Sequence, residues 1–293
     1  ILKSCLDSMT RQDASSSLYG ILIVDNNSTD STRLTSESFV KKHGHISYVC
    51  ETATGLSHAR NRAVRDSTTE FIAFLDDDAI AAENFVTRIL HVIDSHHFDC
   101  FGGTYTAWYL EPKPRWLPES FGNLTPEGTS VKTLHEGYIQ GGISCWNRKA
   151  VIACGMFPVS LGMTGNKIAY GEETYLLNQW RSHGFSIGYD PLWTMEHLVA
   201  PYKYKLKWHL KFYFAHGRDS VGIWAKKPIV SRKLILKKFF TSQLWKFPGL
   251  VFRVLKDKNY YWQNMIIEFL KPILYMYGQY KGLVELKRKE SGN

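Results

Sequence analysis

The chain contains 293 residues, of which 44% are hydrophobic and 14% aromatic, enough apolar material to bury a substantial core. Its five cysteines form no C-x-x-C pair and no apolar run reaches the roughly 20 residues that span a bilayer, so we expect a cytoplasmic protein without a disulfide framework or membrane span. Residues 201–293 carry 20 Lys and Arg against 5 Asp and Glu, a formal charge of +15, whereas residues 1–200 carry −6.

Short runs of β-branched and aromatic residues alternate with helical patterns in the first part of the chain. After a helical pattern at residues 2–9, four such runs predict strands at Tyr19–Val24, Ile46–Cys50, Phe71–Leu75 and Cys100–Tyr105. Helical patterns separate these runs near residues 31–43, 57–66 and 83–95. This β-α-β order predicts an α/β fold, with a mainly parallel sheet that is flanked by helices and binds its ligand at the carboxyl ends of the strands.

The later elements are less regular. Four prolines and three glycines in residues 106–137 predict a long loop, which is either a functional lid or an ordered surface excursion. A strand over Tyr138–Trp146, containing Gly141 and Gly142, is expected next, followed by a helix from Gly171 to about His183. Helix-like apolar spacing interleaved with Lys and Arg predicts a basic, mainly helical segment at residues 201–293, after a first domain at residues 1–200.

Three consecutive carboxylates, Asp76, Asp77 and Asp78, follow directly on the predicted strand Phe71–Leu75. Adjacent carboxylates repel one another and raise each other's pKa unless a cation lies among them. Oxygen ligands favour Mg²⁺ or Mn²⁺, which keep coordination positions open for the phosphates of a substrate. The triplet therefore indicates a metal site that holds a nucleotide diphosphate, and the alternative is a solvated acidic turn.

Several further motifs occur in order along the chain. They are Leu2–Gln12, Val24–Asp30 (VDNNSTD), Gly55–Asn61 (GLSHARN), Phe74–Asp78 (FLDDD), Gly141-Gly142 and Gly171–Leu176 (GEETYL). Each is weak alone, but their order and spacing over roughly residues 1–220 resemble the family 2 glycosyltransferases of GT-A fold, inverting enzymes that build bacterial polysaccharides. The resemblance implies a metal-dependent glycosyltransferase with a GT-A domain.

The resemblance implies roles for the residues of the donor site. Asp25, at the end of its strand, corresponds to the residue that reads the nucleotide base, and Arg60 to the residue that approaches the donor nucleotide. In the family's Asp-x-Asp pattern, Asp76 is the ribose or metal contact and Asp78 is the direct metal ligand, with Asp77 between them. The structural alternative for both Asp25 and Arg60 is a loop cap.

The resemblance also implies the catalytic base and a third metal ligand. Glu173 takes the second position of the acidic pair that carries the base; because Asp is commoner there, Glu172 is the alternative base, and both carboxylates also suit a helix dipole. His197 resembles a metal-binding histidine in position, and otherwise is a packed polar residue. Gly141 and Gly142 let the backbone approach the sugar, or else form a strand bulge.

The function that the resemblance implies is inverting transfer of a sugar from a nucleoside diphosphate sugar to a hydroxyl of a saccharide or lipid-linked saccharide, with Mn²⁺ or Mg²⁺ as cofactor. A UDP-sugar is the expected donor because Asp25 can accept the uracil N–H, and GDP- or dTDP-sugars, which related enzymes use, are the alternatives. The basic segment suits peripheral attachment to the anionic inner face of the cell membrane. An ordinary solvated helical face is the alternative, and nucleic acid is not expected because no recognised binding module accompanies the charge.

One feature of the sequence departs from the family. Family members begin with an apolar strand and a Pro-Thr-x-Asn-like loop that helps to hold the nucleotide base, and this sequence starts after that point. Either the sequence is an N-terminal fragment or another segment fills the gap, and as the sequence stands we expect a sheet that lacks the first strand. The alternative function is a catalytically impaired, glycosyltransferase-like protein that binds a nucleotide or saccharide.

Overall fold

The computed structural model describes residues 1–165, 167–224 and 226–291. In the first half of the chain, strands form where the sequence concentrates β-branched and aromatic residues. The helices are α1 (Leu2–Met9), α2 (Thr32–Val40), α3 (Leu56–Asp66), α4 (Phe85–His96), α5 (Arg148–Ala153), α6 (Glu172–Ser182), α7 (Leu206–Ile223), α8 (Arg232–Lys238), α9 (Leu244–Lys256) and α10 (Trp262–Ser291). The strands are β1 (Ile21–Asp25), β2 (Ile46–Cys50), β3 (Phe71–Leu75), β4 (Ala79–Ala81), β5 (Cys100–Trp108), β6 (Lys132–Thr133), β7 (Ile143–Asn147) and β8 (Ile187–Leu198).

The chain divides into two units. The first comprises Ile1–Trp108, Gly122–Gly165 and Glu172–Leu198, and the second comprises Tyr109–Phe121, Asn166–Gly171 and Val199–Asn293. The second unit thus includes two segments that precede the boundary expected from the sequence at residue 200.

The strands of the first unit pair in both directions. β1 and β2 form a parallel pair, and the other strands form a sheet in the order β3-β7-β5-β8-β4, with β6 beside β8. In this second sheet, β5 and β8 are parallel and the other described pairings are antiparallel. The α/β fold with helices around a sheet is confirmed. The expected mainly parallel pairing is corrected to a mixed sheet, because β7, which follows a long loop rather than a crossover helix, lies antiparallel between β3 and β5.

The strand predicted over Tyr138–Trp146 is wrong in its first half. β7 begins only at Ile143, and residues 138–142 are irregular, so Gly141 and Gly142 precede the strand and form no bulge within it. The predicted loop over 106–137 is present between β5 and β7, except that β5 extends to Trp108 and the short strand β6 interrupts it.

Alternate residues of the sheet point into two apolar clusters, as the pleat of a strand requires. Cys100 and Trp146 belong to one cluster, which also takes in residues of α3, α5 and α6. Phe101 and Cys145, their neighbours along the chain, belong to the other cluster, which includes residues of α4 and β8. Both faces of the sheet are therefore covered, and the edge at the carboxyl end of β3 is where polar side chains collect.

The second unit is mainly helical, as the sequence predicts, and its longest helices pack through glycines. A Cβ atom at Gly278 of α10 would overlap the carbonyl oxygen of Phe214 in α7, and one at Gly217 of α7 would overlap the carbonyl oxygen of Tyr275 in α10. The two backbones are therefore in direct contact. Within the described ranges, no helix is both long enough and apolar enough to cross a membrane.

We expect Gly278→Ala to destabilise the second unit by about 1–3 kcal/mol, because the added methyl group forces α7 and α10 apart. Scanning calorimetry measures the effect. Gly249→Ala in α9 is the matched control, since a Cβ there meets no atom within 4 Å. The control is expected to be neutral or stabilising by up to about 1 kcal/mol through helix propensity. Equal midpoints for the two variants would contradict the close backbone contact.

Candidate active site

The Asp triplet forms the turn between β3 and β4, and strand pairing brings a histidine to it. Ala79, the first residue of β4, lies opposite His197 of β8, and the backbone N–H of Leu198 donates to the carbonyl oxygen of Asp78 at 2.9 Å. As a result, Nε2 of His197 is 3.3 Å from Oδ1 of Asp78 and 4.0 Å from Oδ2 of Asp76. These three side chains offer ligand atoms that all lie within 4.8 Å of one another.

The electrostatics of this group favour a cation. All three side chains are partly accessible, with 36%, 30% and 20% of the side-chain surface exposed for Asp76, Asp78 and His197. Burial and the charge of Asp78 raise the pKa of Asp76, although the nearby guanidinium of Arg60 opposes this shift. Two carboxylates and an imidazole at this spacing match the donor set of a divalent metal ion.

Asp77 lies outside this group and is exposed. The negative charge of the triplet is nevertheless felt in α1, where burial raises the pKa of the Cys5 thiol to about 12, assisted by the charges of Asp77, Asp76 and Asp78. The arrangement thus separates the outer carboxylates of the triplet, which approach His197, from the middle one.

Arg60 is the cation that connects the triplet to the acidic pair of α6. It lies on the buried face of α3, with Nη1 2.8 Å from Oε1 of Glu172 and Nη2 4.0 Å from Oδ1 of Asp76. The rings of Phe74 and Phe157 lie 5.7 and 5.5 Å from its guanidinium carbon, close enough for cation–π attraction. Arg60 therefore contacts side chains of the protein itself, and its approach to a donor nucleotide stays a prediction.

Gly141 and Gly142 lie directly against these same charged groups. Leu75 of β3 pairs with Ile143 of β7, so the residue before Ile143 faces the residue after Leu75. A Cβ atom at Gly142 would overlap the carboxylate of Asp76, and one at Gly141 would overlap the guanidinium of Arg60. Only glycine leaves room for both side chains at this point.

Glu172 and Glu173, at the start of α6, are in different electrostatic states. Glu172 is almost fully buried and forms the ion pair with Arg60. Oε2 of Glu173 is buried and has no hydrogen-bond partner among the described residues. Burial, and then the negative charge of Glu172, raise the pKa of Glu173 to about 8, while Arg60 opposes the shift. Glu173 is thus the carboxylate that can exchange a proton near neutral pH, as a general base must.

Asp25 closes β1 and organises its own loop. It is buried, and its carboxylate accepts hydrogen bonds from the backbone N–H of Ser28 at 2.9 Å and from the hydroxyl of Tyr48 at 2.8 Å. Although burial raises the pKa of Asp25, these hydrogen bonds outweigh it and hold the pKa below its ordinary value. No hydrogen bond or ion pair within the described ranges joins Asp25 to the group around Asp76, so its contact with a base stays a prediction.

One aromatic residue at the site is not predicted from the sequence. The ring of Tyr105 in β5 lies 5.5 Å from that of His197, and burial together with the charge of Asp76 raises its pKa. Tyr105 reaches this position because β5 and β8 pair in parallel with Ala107 opposite His197. No local motif signals such a pairing, so sequence patterns alone do not identify this residue.

The comparisons with known proteins assign the family. The sequence model of glycosyl transferase family 2 matches residues 1–157, more than half of the chain, and the chain belongs to this family. The matched region contains Asp25, Arg60, Asp76, Asp78 and the glycine pair. The acidic pair of α6 and the histidine of β8 lie beyond it.

Two curated relatives are similar over much of the chain. The succinoglycan biosynthesis protein ExoM of Rhizobium meliloti is 27% identical over 212 residues, which cover 71% of this chain and 65% of that protein. The chain thus matches just under two thirds of that relative's length. Glycosyltransferase AglE of Haloferax volcanii is 22% identical over 252 residues, which cover 85% of this chain and 77% of that protein.

Solved structures with the same architecture confirm the GT-A fold. The mannosyltransferase PcManGT from Pyrobaculum calidifontis, in complex with GDP-Man and Mn²⁺, aligns with a TM-score of 0.58 at 15% identity, over 96% of this chain and 83% of that one. Residues 1–349 of S. aureus TarS, in complex with UDP-GlcNAc, align with a TM-score of 0.55 at 17% identity, over 96% of this chain and 84% of that one.

We expect Arg60→Met to lower the free energy of unfolding by about 3–5 kcal/mol, because Glu172 is left as an uncompensated buried charge. Adding Glu172→Gln should restore a large part of this loss. Urea unfolding at neutral pH measures the cycle. Arg62→Met, which breaks a more exposed pair with Asp66, is the control and should change stability by less than about 1 kcal/mol. Strictly additive losses for Arg60→Met and Glu172→Gln would contradict the pairing.

The raised pKa of Glu173 predicts a pH-dependent contribution to stability. The folded state binds this proton more tightly than the unfolded state, so the stabilisation is complete below the ordinary pKa of 4.5 and is lost as the pH rises through about 8. Melting temperatures measured between about pH 5 and 9 should therefore show Glu173→Gln gaining on the wild type as the pH rises. Glu136→Gln removes an exposed carboxylate and corrects for net charge. If the difference in melting temperature between Glu173→Gln and the wild type did not change with pH, the pKa of Glu173 would be the ordinary one and the prediction would be wrong.

Proposed function

We propose that this chain transfers a sugar from a nucleoside diphosphate sugar to an acceptor hydroxyl, with inversion at the anomeric carbon. The observation that carries the proposal is the convergence, at the end of β3, of Asp76, Asp78 and His197, with Arg60 linking this group to the acidic pair of α6. Membership of glycosyl transferase family 2 supports sugar transfer as the reaction.

Asp76, Asp78 and His197 would hold Mn²⁺ or Mg²⁺. The close carboxylates and the raised pKa of Asp76 fit a site whose charge a divalent cation balances. Such an ion, when bound, supplies neutralisation of the negative charge that develops on the leaving diphosphate. The presence of Mn²⁺ with GDP-Man in the PcManGT structure supports a divalent metal in this fold.

The proposed donor is a UDP-sugar, and Asp25 is the proposed contact with its base. The lowered pKa keeps Asp25 ionised at neutral pH, so its carboxylate can accept the uracil N–H through lone pairs that Ser28 and Tyr48 leave free. Because Asp25 is buried, this contact requires the loop after β1 to open. UDP-GlcNAc bound to TarS and GDP-Man bound to PcManGT support a nucleotide sugar as the ligand class.

Glu173 is the proposed catalytic base. Its carboxylate takes the proton of the acceptor hydroxyl, the hydroxyl oxygen bonds to C1 of the sugar, and the bond between C1 and the diphosphate oxygen breaks on the opposite face. The elevated pKa makes Glu173 a stronger base than an ordinary carboxylate. Glu172 instead neutralises Arg60, so we assign it a positioning role.

The proposed acceptor is a saccharide or a lipid-linked saccharide. The name of ExoM, a succinoglycan biosynthesis protein, supports polysaccharide assembly as the context. The second unit carries most of the positive charge of the chain, and an anionic membrane surface is its proposed partner.

A donor screen tests the proposal. The chain is incubated with Mn²⁺ and UDP-, GDP- and dTDP-sugars, with and without saccharide acceptors, and the released nucleoside diphosphate is measured. We expect release from one donor class. Binding of a donor without release under any of these conditions would support the impaired, binding-only alternative instead.

In the same assay, Glu173→Gln should lower the transfer rate by a factor of about 10²–10⁴ while leaving donor affinity within a few-fold, because the amide cannot take a proton. The wild-type rate should rise as the pH increases toward and through about 8, where Glu173 loses its proton. Glu136→Gln is the matched control. An unchanged rate in Glu173→Gln would remove this residue from catalysis.

A further inference from the structure

The stretch from Ser231 to Lys256, which forms α8, a π-helical turn and α9, has an extreme charge composition. It contains seven basic residues and no Asp or Glu. The basic residues are Arg232, Lys233, Lys237, Lys238, Lys246, Arg253 and Lys256. We call this stretch the α8–α9 segment. It lies entirely within the second unit.

α9 buries one side and leaves a second apolar side in solvent. Leu250 is buried, and Phe247 packs against Phe269 of α10 with ring centroids 5.3 Å apart. At 100° per residue, Trp245 and Phe252 lie on the opposite side of the helix and Leu255 lies beside them, while Leu244 and Val251 lie on the flank toward Phe247. Of these, Trp245, Phe252 and Leu255 are 82%, 61% and 76% exposed.

Cations border this apolar face. Lys256, Arg253 and Lys246 follow it around α9, and Lys256 lies 5.8 Å from the ring of Phe252. Lys237 and Lys238 are exposed in α8. The exposed side chains of Leu236 and Phe240 lie next to them along the chain. A helix with Trp, Phe and Leu on one side and Lys or Arg beside it is the pattern of helices that lie in a membrane interface.

The positive charge of the α8–α9 segment discriminates between the molecules that could cover its apolar face. Arg253 is paired with Asp257 at 3.7 Å and with Glu268 at 3.4 Å. A second copy of the chain would bring the other six cations of each segment together, so self-association on this face is opposed by repulsion. A nucleic acid would satisfy the cations but would leave the exposed apolar side chains in water. An anionic lipid surface satisfies both, because its headgroups pair with the cations and its acyl boundary buries the apolar side.

We propose that the α8–α9 segment docks the second unit on an anionic membrane, with Trp245, Phe252 and Leu255 inserted at the boundary between headgroups and acyl chains. The inference rests on the proposed function only in that the membrane is where a lipid-linked acceptor would be met.

Vesicle flotation tests the inference directly. The full chain is mixed with phosphatidylcholine vesicles, with or without phosphatidylglycerol, and the bound fraction is measured against lipid concentration. Wild type should float with the anionic vesicles and much less with the neutral ones, and added salt should weaken binding. Absence of flotation with anionic vesicles would overturn the inference.

Two variants separate the apolar and charged contributions. Trp245→Ser/Phe252→Ser/Leu255→Ser should weaken binding to anionic vesicles on the order of 100-fold or more, since three inserted side chains are lost. Lys237→Gln/Lys238→Gln should weaken it about 25-fold, roughly fivefold per removed charge. Circular dichroism and melting temperature check that each variant is folded. Wild-type flotation by the folded triple variant would overturn the inference.

Matched controls come from the first unit. Leu18→Ser/Leu34→Ser removes two other exposed leucines, 62% and 71% accessible, and Lys41→Gln/Lys42→Gln removes two exposed cations. Both controls should float as wild type does. If they lose as much binding as the α8–α9 variants, adsorption is unspecific and the inference is wrong.

Two variants separate loss of membrane docking from loss of sugar transfer. Asp78→Ala should float normally, because the metal ligands lie outside the segment, whereas the triple variant should still release nucleoside diphosphate from a water-soluble donor. Sedimentation of the chain without lipid then measures its oligomeric state. A wild-type dimer that the triple variant abolishes, in a chain that ignores vesicles, would assign the face to self-association instead.

Discussion

The concentration of carboxylates at the end of β3 is the constraint on which the rest of the site depends. Asp76, Asp78 and the acidic pair of α6 approach one another, and Arg60 is the buried cation that touches both groups, at 4.0 Å from Asp76 and 2.8 Å from Glu172. One guanidinium cannot balance all of these charges, and burial, together with the remaining negative charge, raises the pKa values of Asp76 and Glu173. A divalent cation beside Asp76 and Asp78, together with a proton on Glu173, would neutralise the remaining negative charge.

The scaffold sets these distances through strand register rather than through local sequence. β4, only three residues long, places Ala79 opposite His197, while the pairing of β3 with β7 places Gly142 beside Asp76. A shift of one residue in either pairing would turn the side chain concerned to the other face of the sheet. The glycine pair then allows the backbone to lie against the charged groups without a Cβ atom in the way.

The sequence predicts most elements of the first half because periodicity and strand-end motifs are local properties, but it does not predict β4, α5 or β8. The Asp triplet is identifiable in this way, whereas the roles of Asp25, Arg60, the acidic pair and His197 come from the resemblance to the family. Pairing direction, the antiparallel position of β7 and the approach of Tyr105 to His197 depend on contacts between distant segments. The exposed face of α9 is likewise visible only once the side that packs on α10 is known.

Calorimetric titration of UDP with Mn²⁺ or with EDTA, into wild type, Asp78→Ala and Asp77→Asn, tests whether Asp76, Asp78 and His197 form a metal site that holds a nucleotide. We expect that UDP binds wild type only with the metal, that Asp78→Ala loses this binding, and that Asp77→Asn keeps it because Asp77 lies outside the ligand group. Equal affinity in EDTA, or metal-dependent binding that survives Asp78→Ala, would contradict the assignment of Asp76, Asp78 and His197 as the metal site.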